Sequence, residues 1–194
     1  TDNHSINIVS YNLHGFNQGS GMIRDLMFSY GISIFMLQEH WLTPANLSKF
    51  DEHFPQFLCF GSSAMSSSVS KGVLRGRPHG GIMTLVCRQL EKYTKVLCAS
   101  ERYVIVLVGK VLLVNVYFPC TGTDDRISVY EELMDTIGYW ISKYPEHKCI
   151  IGGDFNTALH DDNKVSNLVN AFLASNNLYR CDTIGGTVNT KPTY

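Results

Sequence analysis

The sequence predicts a fold of mixed α and β structure, either α/β or α+β, on three observations. Short apolar runs rich in β-branched residues recur along the chain, as strands do. A few stretches instead space their apolar residues at helical intervals. No internal repeat, coiled coil or linker interrupts the pattern, so residues 1–194 are expected to form one domain.

The first strand is expected at Ile6–Tyr11, ending at Asn12. A helix follows on Met22, Leu26, Met27 and Tyr30, and Gly31 supplies its stop signal. Ile32–Leu37 is continuously apolar, the mark of a strand buried on both faces. A short helix is expected over Asn46–His53 and a strand over Phe57–Phe60. The serine- and glycine-containing stretch Ser62–Gly80 reads as a loop. Ile82–Cys87 resumes as a strand, and Lys95–Ala99, Tyr103–Val108 and Val111–Tyr117 form a meander closed by Pro119. Gly109 and Lys110 break the most apolar segment into two strands and a tight turn, which argues against a membrane span.

The clearest helix covers Asp125–Lys143. Ile127, Tyr130, Leu133, Met134, Ile137, Trp140, Ile141 and Tyr144 line one face, and Thr123, Asp124 and Asp125 suit its positive end. Cys149–Ile151 reads as a short buried strand leading into Gly152-Gly153-Asp154, and a last helix is expected over Lys164–Ser175.

A composition of 44% hydrophobic and 17% charged residues is that of a globular protein, large enough to bury a core without disulfides. The net charge of -1 argues against a passive nucleic-acid coat protein, which carries excess Lys and Arg, but not against an enzyme that grips nucleic acid locally. The six cysteines include no CxxC pair, so a zinc cluster is not expected, and four lie in or beside apolar runs as free thiols do. These features predict a reducing compartment, nuclear or cytoplasmic. No charged leader with an apolar stretch precedes Ile6, so no signal peptide is expected.

Polar clusters stand at the C-terminal ends of three apolar strands: Asn12, Gln38-Glu39, and Asp154-Phe155-Asn156. Strand ends of layered folds converge on one rim, where sites are built. Carboxylates and amides gathered there suit Mg²⁺, which takes one or two carboxylates, several waters and substrate phosphate. Taken singly, each residue is more often a turn former or a cap, and Tyr117 a core tyrosine. Their ordered combination carries the signal.

That combination resembles the endonuclease/exonuclease/phosphatase superfamily, which includes DNase I, exonuclease III and apurinic endonucleases. The motifs occur in family order: Ser10-Tyr11-Asn12-Leu13-His14-Gly15, Leu37-Gln38-Glu39, Gly80-Gly81-Ile82, Asn115-Val116-Tyr117-Phe118-Pro119 and Gly153-Asp154-Phe155-Asn156. Leu37-Gln38-Glu39-His40-Trp41-Leu42 and Gly76-Arg77-Pro78-His79-Gly80-Gly81 are similar to the LINE-type, non-LTR retrotransposon endonucleases. Repair-type apurinic endonucleases usually carry an acidic residue where His14 stands, two after the first Asn, and this departure argues against the repair branch.

The resemblance implies an α+β, four-layer αββα sandwich of the DNase I-like kind, lacking its last strands. It implies Mg²⁺-dependent phosphodiester hydrolysis, with Mn²⁺ as a substitute, on a double-stranded DNA target, nicked to leave the 3′-hydroxyl that primes reverse transcription. Glu39 would be the principal metal ligand and Asn12 would orient the metal shell or the phosphate. Asp154 would align or deprotonate the attacking water, and Asn156 and Tyr117 would donate to phosphate oxygens.

The family pattern continues with a Thr-aromatic strand, which Thr193-Tyr194 resembles, then Ser-x-Ile-Asp and Ser-Asp-His motifs that this chain does not reach. His147 and His160 fall in no such motif and read as loop residues. A C-terminally incomplete domain, impaired in catalysis and prone to associate through unpaired sheet edges, is the expectation. Lys71, Arg75, Arg77 and His79, in the loop before Gly80, read either as a solvated loop or as a basic arm on DNA phosphates. Cys120–Arg126, just after Tyr117, is a second candidate contact loop, weakened by Asp124 and Asp125. Two competing readings remain: a phosphatase or phosphodiesterase acting on lipid or nucleotide headgroups, and an inactive remnant that binds nucleic acid or protein.

Overall fold

The computed structural model describes residues 5–72 and 77–181. These fall into two compact units. The first runs through Tyr117 and takes in Glu146–Asp154, and the second holds Phe118–Pro145 and the residues from Phe155 onward.

The first unit contains two four-stranded sheets. One is ordered β1 (Asn7–Asn12), β2 (Ile32–Gln38), β4 (Ile82–Cys87), β3 (Phe57–Ser62). The other is ordered β5 (Thr94–Ala99), β6 (Tyr103–Val108), β7 (Val111–Tyr117), β8 (Lys148–Asp154). Both sheets mix directions: β1 and β2 run parallel, as do β7 and β8, and the other neighbours are antiparallel. The two sheets pack face to face.

Period-two alternation explains the packing of the central strand. Ile34 and Met36 point toward the second sheet and join Ile82, Val86, Val104, Val106 and Leu113. Phe35 and Leu37 point the other way, into a cluster with Phe16, Ile23, Phe50, Phe54, Phe57 and Leu85. That cluster includes residues of α1 (Phe16–Tyr30) and α2 (Lys49–His53). Burying such a side chain fully contributes about 1.5–3 kcal/mol, so this strand anchors two cores at once.

Several elements differ from expectation. The buried face of α1 is Phe16, Gly19, Ser20 and Ile23, whereas Met22 and Tyr30 are exposed and Leu26 and Met27 only flank the core. Close approach accounts for Gly19: a Cβ there would come within 2.6 Å of the carbonyl oxygen of Leu13, just past β1. A short helix, α3 (Ser66–Ser70), forms inside the serine-rich stretch expected to be all loop. The expected helix over Asn46–His53 resolves into a 3₁₀ turn at Pro44–Asn46 followed by α2. The expected buried strand around Cys149 is only half-buried, with Ile150 40% exposed, and among the described residues β8 pairs with β7 alone. Gly31 ends α1 as expected, in the left-handed conformation with its N–H on the Met27 carbonyl.

The second unit contains α4 (Arg126–Lys143) and α5 (Lys164–Ser175), which pack on each other. Tyr130, Leu133, Met134 and Ile137 form the buried face of α4, as the spacing predicts. Its N-terminus departs from expectation: Asp125 takes a left-handed conformation and makes no side-chain cap. By contrast, α5 opens on a capping box in which Asn163 accepts from the Val165 and Ser166 N–H groups. Phe118 stacks between Tyr130 and Phe155, with ring centres 4.5 and 5.4 Å away.

Candidate active site

Parallel pairing brings the polar strand ends together in the first unit. Asn12 lies opposite Gln38 at the ends of β1 and β2, and Tyr117 lies opposite Asp154 at the ends of β7 and β8. Two hydrogen bonds then span the sheets. Asn12 Nδ2 donates to Asp154 Oδ2 at 3.0 Å, and the Tyr117 hydroxyl donates to Glu39 Oε1 at 3.0 Å. Four of the five expected catalytic residues therefore meet in pairs that are 142 and 78 positions apart in the chain.

Beneath these pairs lies a polar bridge. Gln38 and Asn115 are each 1% exposed, and Gln38 Nε2 donates to Asn115 Oδ1 at 2.7 Å. Asn115 Nδ2 in turn faces the carbonyls of Met83 (3.0 Å) and Leu37 (3.3 Å) and the hydroxyl of Thr84 (3.2 Å). A buried amide with this many partners locks the register of the two sheets under the site. Asn115 was named in the sequence only as part of a motif. Its signal was one amide inside the otherwise apolar Val111–Val116.

The loop after β2 carries Glu39 in an unusual conformation. Glu39 and Trp41 both have φ of 55°, in the left-handed region that disfavours side chains. Neighbouring backbone holds them there. The N–H of Glu39 donates to the Gly81 carbonyl, that of Trp41 to the Gly80 carbonyl, and the Glu39 carbonyl accepts from the N–H of Gly15. Between them His40 is fully buried. Its Nδ1 accepts from the Leu42 N–H at 2.9 Å, which fixes the neutral tautomer and makes Nε2 the donor to the Ser62 carbonyl at 3.0 Å. Burial lowers the His40 pKa to about 4, only partly opposed by the bond to Ser62. The ring leaves no room at Gly81: a Cβ there, at φ 87°, would come within 2.4 Å of it. His40 is thus a supporting residue that sequence reasoning passed over.

The Glu39 side chain stays 19% exposed and its Oε2 lies 3.8 Å from Nδ1 of His14, which is 74% exposed. The His14 ring packs against Trp41 with centres 4.7 Å apart, and the His14 N–H donates to Asn12 Oδ1 at 3.0 Å. One accessible carboxylate and a second held by an amide make a set of hard oxygen donors. Among the described residues no group of three or more His, Cys, Asp or Glu is placed to hold a metal ion. Hard oxygen donors of this kind suit Mg²⁺, which needs only one or two carboxylates and completes its shell with water and phosphate. The residues present fit such an ion.

Asn156, the fifth expected residue, belongs to the second unit. It has φ of 47°, and its Nδ2 donates to the Phe118 carbonyl at 2.8 Å. Lys71, Arg77 and His79 are exposed, whereas Arg75 and the Thr193-Tyr194 motif lie outside the described residues. None of the six cysteines, all of them among the described residues, forms a disulfide. No described helix is long and apolar enough to cross a membrane.

The model of the Endonuclease/Exonuclease/phosphatase family matches residues 9–193. The chain belongs to that family. Its solved structural relatives include the endonuclease domain of TRAS1, a telomere-specific non-LTR retrotransposon, at 15% identity and a TM-score of 0.66, covering 98% of this chain and 77% of that one. A 3′ phosphatase, NExo, from Neisseria, bound to a product DNA hairpin, matches at 14% identity and 0.64, covering 89% and 71%. An AP endonuclease from Archaeoglobus fulgidus matches at 10% and 0.62, covering 88% and 70%. No curated protein matches the sequence. The family's α+β fold, with two sheets and helices, is the one the motifs implied.

Proposed function

We propose that this endonuclease/exonuclease/phosphatase domain is a divalent-metal-dependent DNA endonuclease of the LINE-type retroelement kind. The observation that carries the reading is the pair of cross-sheet hydrogen bonds joining Asn12 to Asp154 and Tyr117 to Glu39. On this reading Glu39 is the carboxylate for the cation and Asp154 the carboxylate for the water. The TRAS1 domain and the Leu37–Leu42 motif favour a retroelement nickase over a headgroup phosphatase.

Glu39 would hold Mg²⁺, with Asn12 beside it. When bound, the ion neutralises charge on the phosphate and on the departing 3′ oxygen. Asn12 orients Asp154 by donating to Oδ2, and Asp154 aligns and deprotonates the attacking water. The Tyr117 phenol and the Asn156 amide donate to phosphate oxygens as charge builds on them. Lys71 and Arg77, with Arg75, position the DNA backbone without reading its sequence.

The test is nicking of supercoiled plasmid by the 194-residue chain. The reading expects Mg²⁺-dependent nicked circles bearing 3′-hydroxyls, and none after Glu39→Gln. Nicking that survives a chelator or Glu39→Gln, or no nicking at all, overturns it.

A further inference from the structure

Arg126 opens α4 at the end where a cation is least welcome. The macrodipole puts partial positive charge at a helix N-terminus, and the first turn of α4 contains no acidic residue to offset it. Helix stability therefore does not account for Arg126, but its partners do. Nε donates to the Pro119 carbonyl at 3.1 Å, and Nη2 donates to the Asn156 carbonyl at 2.6 Å. The guanidinium also packs over the Tyr130 ring, 5.3 Å from its centre. One turn further along, the Tyr130 hydroxyl donates to the carbonyl of Phe155. The Asn156 amide is itself anchored on the Phe118 carbonyl. Two chain segments, 118–119 and 155–156, are thus bound to one helix end and to each other.

We propose that Arg126, seconded by Tyr130, is a positioning residue that fixes the left-handed backbone of Asn156 and so aims its amide. The proposal rests on the reading above, in which Asn156 donates to a phosphate oxygen. Arginine suits the task because its planar fork reaches two carbonyls from different segments at once, and a lysine ammonium supplies only a point charge. The left-handed backbone of Asn156 is costly for a residue with a side chain, so it persists only where surrounding bonds hold it. With the carbonyls of Phe155 and Asn156 released, that backbone relaxes and the amide leaves its line. Misplacement of such a group by about 1 Å costs on the order of 10²-fold in rate.

The experiment compares Arg126→Gln, Arg126→Lys and Asn156→Ala with the unaltered protein in two readouts. The first is the NMR signal and solvent exchange of the Asn156 side-chain amide in the whole chain, which needs no activity. Slow exchange in the unaltered protein and fast exchange in Arg126→Gln are expected; identical spectra overturn the proposal. The second is plasmid nicking by the whole chain. Arg126→Gln is expected to lower kcat on the order of 10²-fold, with KM changed less than about twofold, and to cost almost nothing further once Asn156 is alanine. A loss of equal size in the Asn156→Ala background shows that Arg126 acts elsewhere and overturns the proposal. Full rescue by Arg126→Lys also does so, since it points to charge rather than to the two-carbonyl clamp. An Asn156→Ala enzyme of undiminished rate overturns the phosphate role itself, and the amide spectrum then reports separately on whether Arg126 holds the residue.

Discussion

His40 shows how a residue without a catalytic task constrains the site. Its two ring nitrogens bond two backbone groups, one as acceptor and one as donor, and only the neutral ring can do both. In the unfolded chain the ring protonates near pH 6.5, and in the fold only near pH 4. Between these values the unfolded state binds the extra proton. The contribution is therefore complete above pH 6.5 and is lost as pH falls toward 4, by about 3 kcal/mol at most. Urea titrations at pH 4.5 and 7 should show this loss, and His40→Gln should flatten the difference. Thiol reactivity offers a second check at the same scale. Burial, reinforced by the charge of Asp51, pushes the Cys59 thiol up to about 12, and burial pushes Cys149 to about 11. Cys120 is exposed. At pH 8 a disulfide reagent should label Cys120 quickly, and label Cys59 and Cys149 only after denaturant is added.

Elements and their junctions decide whether the loop bearing Glu39 keeps its shape. The glycine at the start of β4 has φ of 87° and a histidine ring where a Cβ would stand, so Gly81→Ala should cost more than about 2 kcal/mol in chemical denaturation. Asn115→Ala removes the partner of the Met83 carbonyl and of the Gln38 amide, and should destabilise by about 2–3 kcal/mol. The strands Ile82–Cys87, Tyr103–Val108 and Val111–Tyr117 were legible to the residue, because largely apolar runs lie beside glycines or close to a proline. The buried face of α1 was not legible, because Gly19 goes inside for close approach rather than for hydrophobicity. The short helix at Ser66–Ser70 was hidden by its serines, which favour turns in isolation. At the site, Asn12, Glu39, Tyr117 and Asp154 were visible because polar residues end apolar strands. The roles of His40 and Arg126 were not, because both bond backbone groups, up to 30 positions away, which leave no mark in the sequence.

At the scale of the whole molecule, the parallel pairs β1–β2 and β7–β8 do the organising. Each pair sends its two C-terminal ends the same way, and the face-to-face packing of the sheets brings those ends within hydrogen-bonding distance. The central claim is that this junction holds one divalent cation through Glu39. Manganese binding followed by electron paramagnetic resonance tests it without relying on turnover. The account predicts one Mn²⁺ bound by the unaltered chain, displaced by Mg²⁺, with affinity reduced on the order of tenfold or more in Glu39→Gln. Equal Mn²⁺ affinity in the unaltered and Glu39→Gln proteins would contradict it.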